Sequence, residues 1–74
     1  MEIKLTIDKA AKSRGIYTQI QLAQEIEKQT GVVLRAATIS DMYRNNKDVI
    51  NKKNLLLVMQ GLEITDFNEI ITIE

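Results

Sequence analysis

Few side chains in this sequence could do covalent chemistry. The hydroxyl groups of Thr18, Thr38 and Ser40 are candidate nucleophiles, but a hydroxyl group needs a neighbouring base to activate it. The chain has no histidine to act as that base and no cysteine to act as a thiolate. Its three glycines are scattered and form no phosphate-binding loop. We therefore predict a protein that is not an enzyme, and we expect no metal and no cofactor.

Charged side chains are unevenly distributed, although the net charge is zero. Residues 28–53 carry six basic and two acidic side chains, whereas residues 54–74 carry four acidic side chains and no basic one. Such asymmetry can mark a face that binds a polyanion, and it can equally be a cluster of solvated lysines. The charge pattern alone leaves both interpretations open.

The elements that must position these residues are short helices within one domain, because 74 residues can bury only one core. Hydrophobic periodicity and capping signals predict an all-α fold of five helices. We place the helices at about residues 7–14, 19–30, 35–45, 52–60 and 66–71. Alternating apolar residues at 3–5 and 71–73 could in addition pair as a small two-stranded sheet.

Capping residues set the expected helix ends. Thr18 and Gln21 form a capping box that opens the second helix. Thr6, Asn51 and Thr65 are the expected N-caps of the first, fourth and fifth helices. Glycine at a helix end favours the left-handed conformation that stops the helix. The expected terminators are Gly15, Gly31 and Gly61.

The apolar faces of the helices predict the core. The second helix should bury Ile20, Leu22, Ala23 and Ile26. In the third helix, Ile39 should lie at the centre of the buried face, joined by Ala36, Met42 and Tyr43. In the fourth helix, Leu55, Val58, Met59 and Leu62 follow the spacing of one helical face. Five further apolar residues exceed what we can place in one small core and could form a twofold interface: Leu56, Leu57, Phe67, Ile70 and Ile73.

Five segments carry a resemblance to a known family. Residues 15–23 read GIYTQIQLA, and residues 30–32 and 37–40 read TGV and ATIS. A fourth helix at 51–62 and the segment ITDF at 64–67 follow in order. Over about residues 7–71 the chain resembles the Cro/C1-type (XRE-like) helix-turn-helix regulators of phages. It departs from them by a longer interval between Ala23 and Ile39, which lengthens the second helix by roughly one turn and widens the turn at 32–35.

The resemblance implies that the third helix enters the major groove of double-stranded DNA. Ala37 could then touch a thymine methyl group, Asp41 could accept from a cytosine amine, and Arg44 could bind guanine or phosphate or pair with Asp41. The base-facing candidates are Ala36, Ala37, Thr38, Ser40, Asp41 and Arg44. The phosphate-contact candidates are Gln19, Arg35, Asn45, Lys47, Lys52 and Lys53.

The implied function is sequence-specific DNA binding by a small transcriptional regulator. We expect a cytoplasmic homodimer that represses by occupying an operator, with no membrane association and no small-molecule effector. One alternative is a helix-turn-helix scaffold that no longer binds DNA and instead binds a protein, as an antirepressor or adaptor. Neutral net charge and Asp41 on the outward face favour that alternative. RNA binding stays open, although the chain has few aromatic residues for stacking.

Overall fold

A computed structural model describes residues 1–45 and 49–74 of the chain. Within these residues the chain forms four α-helices, one 3₁₀ turn and two short strands. Their order is β1 (Ile3–Leu5), α1 (Ile7–Lys12), α2 (Gln19–Thr30), α3 (Ala36–Arg44), α4 (Lys52–Leu62), the 3₁₀ turn (Phe67–Glu69) and β2 (Ile71–Ile73). The predicted helical character is confirmed, as is the pairing of the two terminal segments.

The two strands form an antiparallel ribbon that joins the ends of the described chain. Ile3 lies opposite Ile73, Lys4 opposite Thr72, and Leu5 opposite Ile71. The pairing extends to Glu2 and Glu74, which exchange both backbone hydrogen bonds at 2.7 and 2.9 Å. Lys4 Nζ also lies 3.1 Å from the carboxylate of Glu74.

The predicted fifth helix is wrong: only a single 3₁₀ turn forms there. The backbone oxygen of Ile70 accepts a hydrogen bond from the N–H of Thr6 at 2.7 Å. Because the ribbon takes the chain from Ile70 onward, three residues remain for a turn. The cap is Asp66, not Thr65, since the Asp66 carboxylate accepts from the N–H of Asn68 at 2.9 Å.

The first helix is also shorter than expected and ends at Lys12 instead of residue 14. The hydroxyl of Ser13 donates to the oxygen of Ala10 at 2.7 Å, and the N–H of Ile16 turns back to Ala11 at 2.9 Å. The Thr6 side chain does not cap α1; within the described chain its hydroxyl donates instead to the oxygen of Glu69 at 3.5 Å.

The core lies mainly between α2 and α4, which pack against each other. Leu22 and Ile26 of α2 and Val58 and Leu62 of α4 are buried. Gly61 does not terminate α4 as predicted, since the helix continues to Leu62 and Glu63 adopts the left-handed conformation at φ 58°. A Cβ atom on Gly61 would lie 2.6 Å from Cγ1 of Ile26, so glycine is needed where the two helices cross.

Two residues expected inside are exposed. Ile20 is 72% exposed, because at 100° per residue it lies about 120° around α2 from Ile26. Ala36 is exposed as well, although its angle places it near Ile39. Ala36 is the first residue of α3, and a favourable angle does not bury a side chain where no neighbouring element covers it.

The expected surplus of apolar residues divides into two groups. Leu57 and Ile70 are buried in the core, so the core is larger than the sequence suggested. Leu56, Phe67 and Ile73 are exposed.

Candidate nucleic-acid interface

The start of α2 is fixed by the predicted capping box. The hydroxyl of Thr18 accepts from the N–H of Gln21 at 3.0 Å, and the side chain of Gln21 accepts from the N–H of Thr18 at 3.2 Å. Gln21 also accepts from the N–H of Tyr17 at 2.8 Å. These bonds hold the entry to α2 and present Gln19, which is half-buried, in the first helical turn.

The turn between α2 and α3 begins at Gly31, which is left-handed at φ 75°. The hydroxyl of Thr30 donates to the oxygen of Ile26 at 2.7 Å and accepts from the N–H of Val32 at 3.1 Å. Leu34 packs against the core, whereas Val33 is exposed. The turn is therefore anchored at both ends, and Arg35 then leads into α3 with extended backbone at ψ 144°.

The third helix is held against α1 and α2 by Ile39, its buried residue. Tyr43 is half-buried beside the core, and burial followed by the charge of Asp8 raises the pKa of its phenol. The hydroxyl group of Tyr43 is therefore neutral at physiological pH. Both residues are part of the packing that positions α3.

The structure divides the six predicted base-facing residues between two sides of α3. Four of them form a stripe that points away from the body, with Ser40 half-exposed and the others exposed. We call this the outward stripe: Ala36, Ala37, Ser40 and Arg44. Thr38 and Asp41 lie on another side of α3 and line a groove.

That groove has a volume of about 680 Å³ and runs between β1, α3 and the start of α4. From α3 it is lined by Thr38, Asp41, Met42 and Asn45. Apolar side chains of Val49 and Ile50 lie on its other side. Thr38 and Asp41 are thus separated from the outward stripe, whereas the base-facing prediction placed all six residues in one set.

Asn45, a predicted phosphate contact, has a structural task in the fold. Its side-chain oxygen accepts from the N–H of Leu5 at 2.7 Å, and its side-chain nitrogen donates to the oxygen of Leu5 at 3.1 Å. The amide thus pairs with β1 in the way that a neighbouring strand would. The left-handed backbone of Asn45, at φ 55°, ends α3 and turns the side chain toward β1. No local sequence signal predicts this contact, because the two residues are forty positions apart.

Some basic side chains are engaged in ion pairs within the fold, and others are not. Lys4 and Arg14 are neutralised by the carboxylates of Glu74 and Glu69, each at 3.1 Å. Four of the predicted DNA contacts are exposed cations that make no ion pair with any residue that the structure describes. They are Arg35, Arg44, Lys52 and Lys53. The alternative pairing of Arg44 with Asp41 is therefore not observed, and Lys47 lies outside the described residues.

Lys52 and Lys53 open α4, where the side chain of Asn51 accepts from the N–H of Asn54 at 3.1 Å. Two cations at a helix N-terminus oppose the helix dipole, and the first turn of α4 has no acidic residue to offset them. This arrangement is electrostatically unfavourable for the isolated helix and favours an anion nearby.

Two apolar side chains at the entry to α2 are exposed, although the sequence did not predict them as surface residues. Tyr17 is 69% exposed, and Ile20 lies one turn further along. The angular separation of Ile20 from Ile26 was the signal that could have identified it as a surface residue.

Among residues 1–45 and 49–74, no cluster of three or more acidic, histidine or cysteine side chains could hold a metal ion. The helices in these ranges are also too short or too polar to cross a membrane.

No protein-family model matches the chain, and no curated protein or solved structure matches it either.

Proposed function

We propose that the chain is a small Cro/C1-type transcriptional regulator that binds double-stranded DNA in a sequence-specific manner through α3. The observation that carries this proposal is the outward stripe of α3, whose small side chains are flanked by Arg35 and Arg44, neither of which pairs with a carboxylate in residues 1–45 and 49–74. Small side chains let a helix approach the floor of the major groove closely, and unpaired arginines compensate phosphate charge.

Each residue of the outward stripe has a contact that its chemistry allows. Ala37 would touch a thymine methyl group, Ser40 would bond a base edge, and Arg44 would bind guanine or phosphate. Thr38 and Asp41 line the protein groove between β1, α3 and α4, and they would reach DNA bases only from its rim. We therefore assign them a smaller part in base recognition. With few bidentate readers, DNA shape would carry much of the specificity.

The phosphate contacts would come from both sides of α3. Arg35 precedes the helix, and Lys52 and Lys53 open α4. Gln19 would bind phosphate together with the free N–H groups at the start of α2. The amide of Asn45 is engaged with Leu5, so we assign it no phosphate contact through its side chain.

The regulatory mechanism that we propose is repression by occupancy of an operator. The protein would act in the cytoplasm as a homodimer, with one copy of α3 for each half-site. Control would come from the level of the protein or from a partner protein, and not from a small-molecule effector.

The test is selection from a random pool of duplex DNA with the purified protein, followed by sequencing. Enrichment of an inverted repeat would support a dimeric, sequence-specific regulator and give its half-site spacing. Absence of enrichment, with circular dichroism showing a folded protein, would contradict the proposal. Affinity for the selected duplex should fall steeply as salt is raised, because phosphate contacts release counterions.

A second candidate function is supported by the exposed apolar pair Tyr17 and Ile20. Apolar side chains at the entry to α2 would suit a protein partner better than a phosphate backbone. The chain would then be an antirepressor or adaptor on the same scaffold. Salt-independent capture of a protein, together with no sequence preference in the duplex selection, would favour this candidate.

A further inference from the structure

The two outer edges of the β1–β2 ribbon differ in how their backbone groups are satisfied. The backbone N–H groups of Glu2 and Thr6, on either side of β1, donate across the ribbon. The backbone groups of even-numbered residues therefore point toward β2, and those of Ile3 and Leu5 point outward. On β1, the amide of Asn45 covers the outward groups of Leu5 and so blocks continuous strand pairing along this edge, although those of Ile3 have no partner among the described residues. On β2, the outward N–H and C=O groups of Ile71 and Ile73 have no partner among the described residues.

An uncovered strand edge is a template for another strand, and proteins usually protect such an edge. The β2 edge carries no proline, no lysine and no bulge, and its sequence is Ile-Thr-Ile. Ile73 is 63% exposed, and its cross-strand neighbour Ile3 is 60% exposed. The edge is therefore both unpaired and apolar.

We propose that β2 pairs antiparallel with β2 of a second copy of this chain, with the twofold axis at Thr72. The ribbons of the two copies would then form one sheet in the order β1–β2–β2–β1. In this register each Ile71 lies opposite Ile73 of the second copy, and the two residues exchange both backbone hydrogen bonds. Every outward group of β2 is thereby satisfied.

Side chains also complement one another in this register. On one face, Ile3 and Ile73 continue into Ile71 and Leu5 of the second copy, which gives an unbroken row of aliphatic residues. On the other face, Thr72 meets Thr72 at the axis, a favourable cross-strand pair. Glu74 lies opposite Ile70 of the second copy, so no like charges are opposed. Shifting the axis to Ile71 would instead place Ile73 opposite Glu69.

This interface would be the dimer contact of the proposed DNA-binding regulator, but its formation does not require DNA. Its test therefore uses the free protein, and a failure here leaves single-domain DNA binding intact. Conversely, a protein that dimerises through β2 and selects no duplex would contradict the proposed function and not the interface.

Two proline variants form a matched pair for the test, because proline removes an N–H group. Ile73→Pro removes an outward N–H of β2, and Ile3→Pro removes an outward N–H of β1. Neither N–H belongs to the β1–β2 ladder. We expect sedimentation equilibrium to show a dimer for the wild type and for Ile3→Pro, and a monomer for Ile73→Pro. A monomeric wild type, or any other pattern of the two variants, would overturn the proposal.

Cross-linking gives a second measurement that does not depend on proline. The chain has no cysteine, so a single substitution reports one position. Non-hydrogen-bonded antiparallel pairs have Cα atoms about 4.5 Å apart, which is within the disulfide range. Under an added oxidant, Thr72→Cys should form a covalent dimer. Lys4→Cys, separated from its copy by three strand spacings of about 14 Å, should not. Equal cross-linking of both variants, or of neither, would contradict the β2 interface.

Discussion

The pair α2 and α4 and the single helix α3 are built in contrasting ways. The first two cross so closely that a Cβ atom on Gly61 would lie only 2.6 Å from Cγ1 of Ile26. By contrast, α3 buries only Ile39, and its outward stripe is exposed apart from the half-exposed Ser40. The α2–α4 crossing therefore stabilises the fold, whereas the outward side of α3 is available for contact with another molecule.

Truncation at the crossing should have the largest effect on stability. Replacing Ile26 with alanine removes a fully buried side chain and leaves a cavity, which typically costs about 2–5 kcal/mol. Urea unfolding measures the loss. The matched control is Ile20→Ala, the same change in the same helix at an exposed site, which should alter stability by less than about 0.5 kcal/mol. Similar losses for both variants would show that α2 does not face α4 as described.

Adding one carbon at the crossing should also destabilise the fold, by less. A Cβ atom at residue 61 would lie 3.0 Å from Cα of Ile26, a backbone atom that cannot rotate away. Overpacking costs about 1–3 kcal/mol, against about 1 kcal/mol gained because alanine favours helix over glycine. We therefore expect Gly61→Ala to lower the unfolding free energy, whereas exposed Gln60→Ala should leave it nearly unchanged. A stabilised Gly61→Ala variant would mean that the helices are further apart.

A charge on the outward stripe should have little effect on stability and a large effect on DNA binding, unlike the changes at the α2–α4 crossing. Ala37→Glu places a carboxylate where we propose a base contact, so repulsion by DNA should abolish duplex binding. Its urea midpoint should stay close to that of the wild type. The control Ala37→Ser keeps the size and neutrality of the stripe and should retain binding. Retained affinity of Ala37→Glu for duplex DNA would show that α3 does not enter the major groove.

The smallest expected effect is at the entry to α3. Arg35→Ala removes an exposed cation without a carboxylate partner among the described residues. It should weaken all duplexes alike and reduce the slope of log affinity against log salt by about 1. Fluorescence anisotropy at several salt concentrations measures that slope, and Lys12→Ala on α1 is the control. An unchanged slope would remove Arg35 from the phosphate contacts.

Local signals in the sequence predicted most of the fold. The capping box at Thr18, the cap at Asn51 and the periodicity of α4 depend on neighbouring residues, and each is confirmed. The prediction of a fifth helix was wrong because Ile70 and the residues after it pair with the N-terminal segment instead of continuing a helix. The α4 end was missed because the closeness of Ile26 to Gly61 is a contact between distant residues.

The candidate site was less predictable than the fold. The base-facing prediction grouped Ala37 and Arg44 with Thr38 and Asp41, which line a groove that only the assembled β1 and α4 create. The engagement of Asn45 with Leu5 likewise depends on the ribbon lying beside α3. The sequence can name the candidate residues of α3, but only the packed structure shows which of them lie on the outward stripe and which line the groove.

The central claim is that the outward stripe of α3 binds duplex DNA. Its most direct test is a titration of ¹⁵N-labelled protein with the duplex recovered from selection, followed by amide chemical shifts. Our account predicts the largest changes at Ala36, Ala37, Ser40 and Arg44, with smaller ones at Gln19 and Lys52. Changes confined to Tyr17 and Ile20 or to the groove beside β1, or no changes at all, would contradict it.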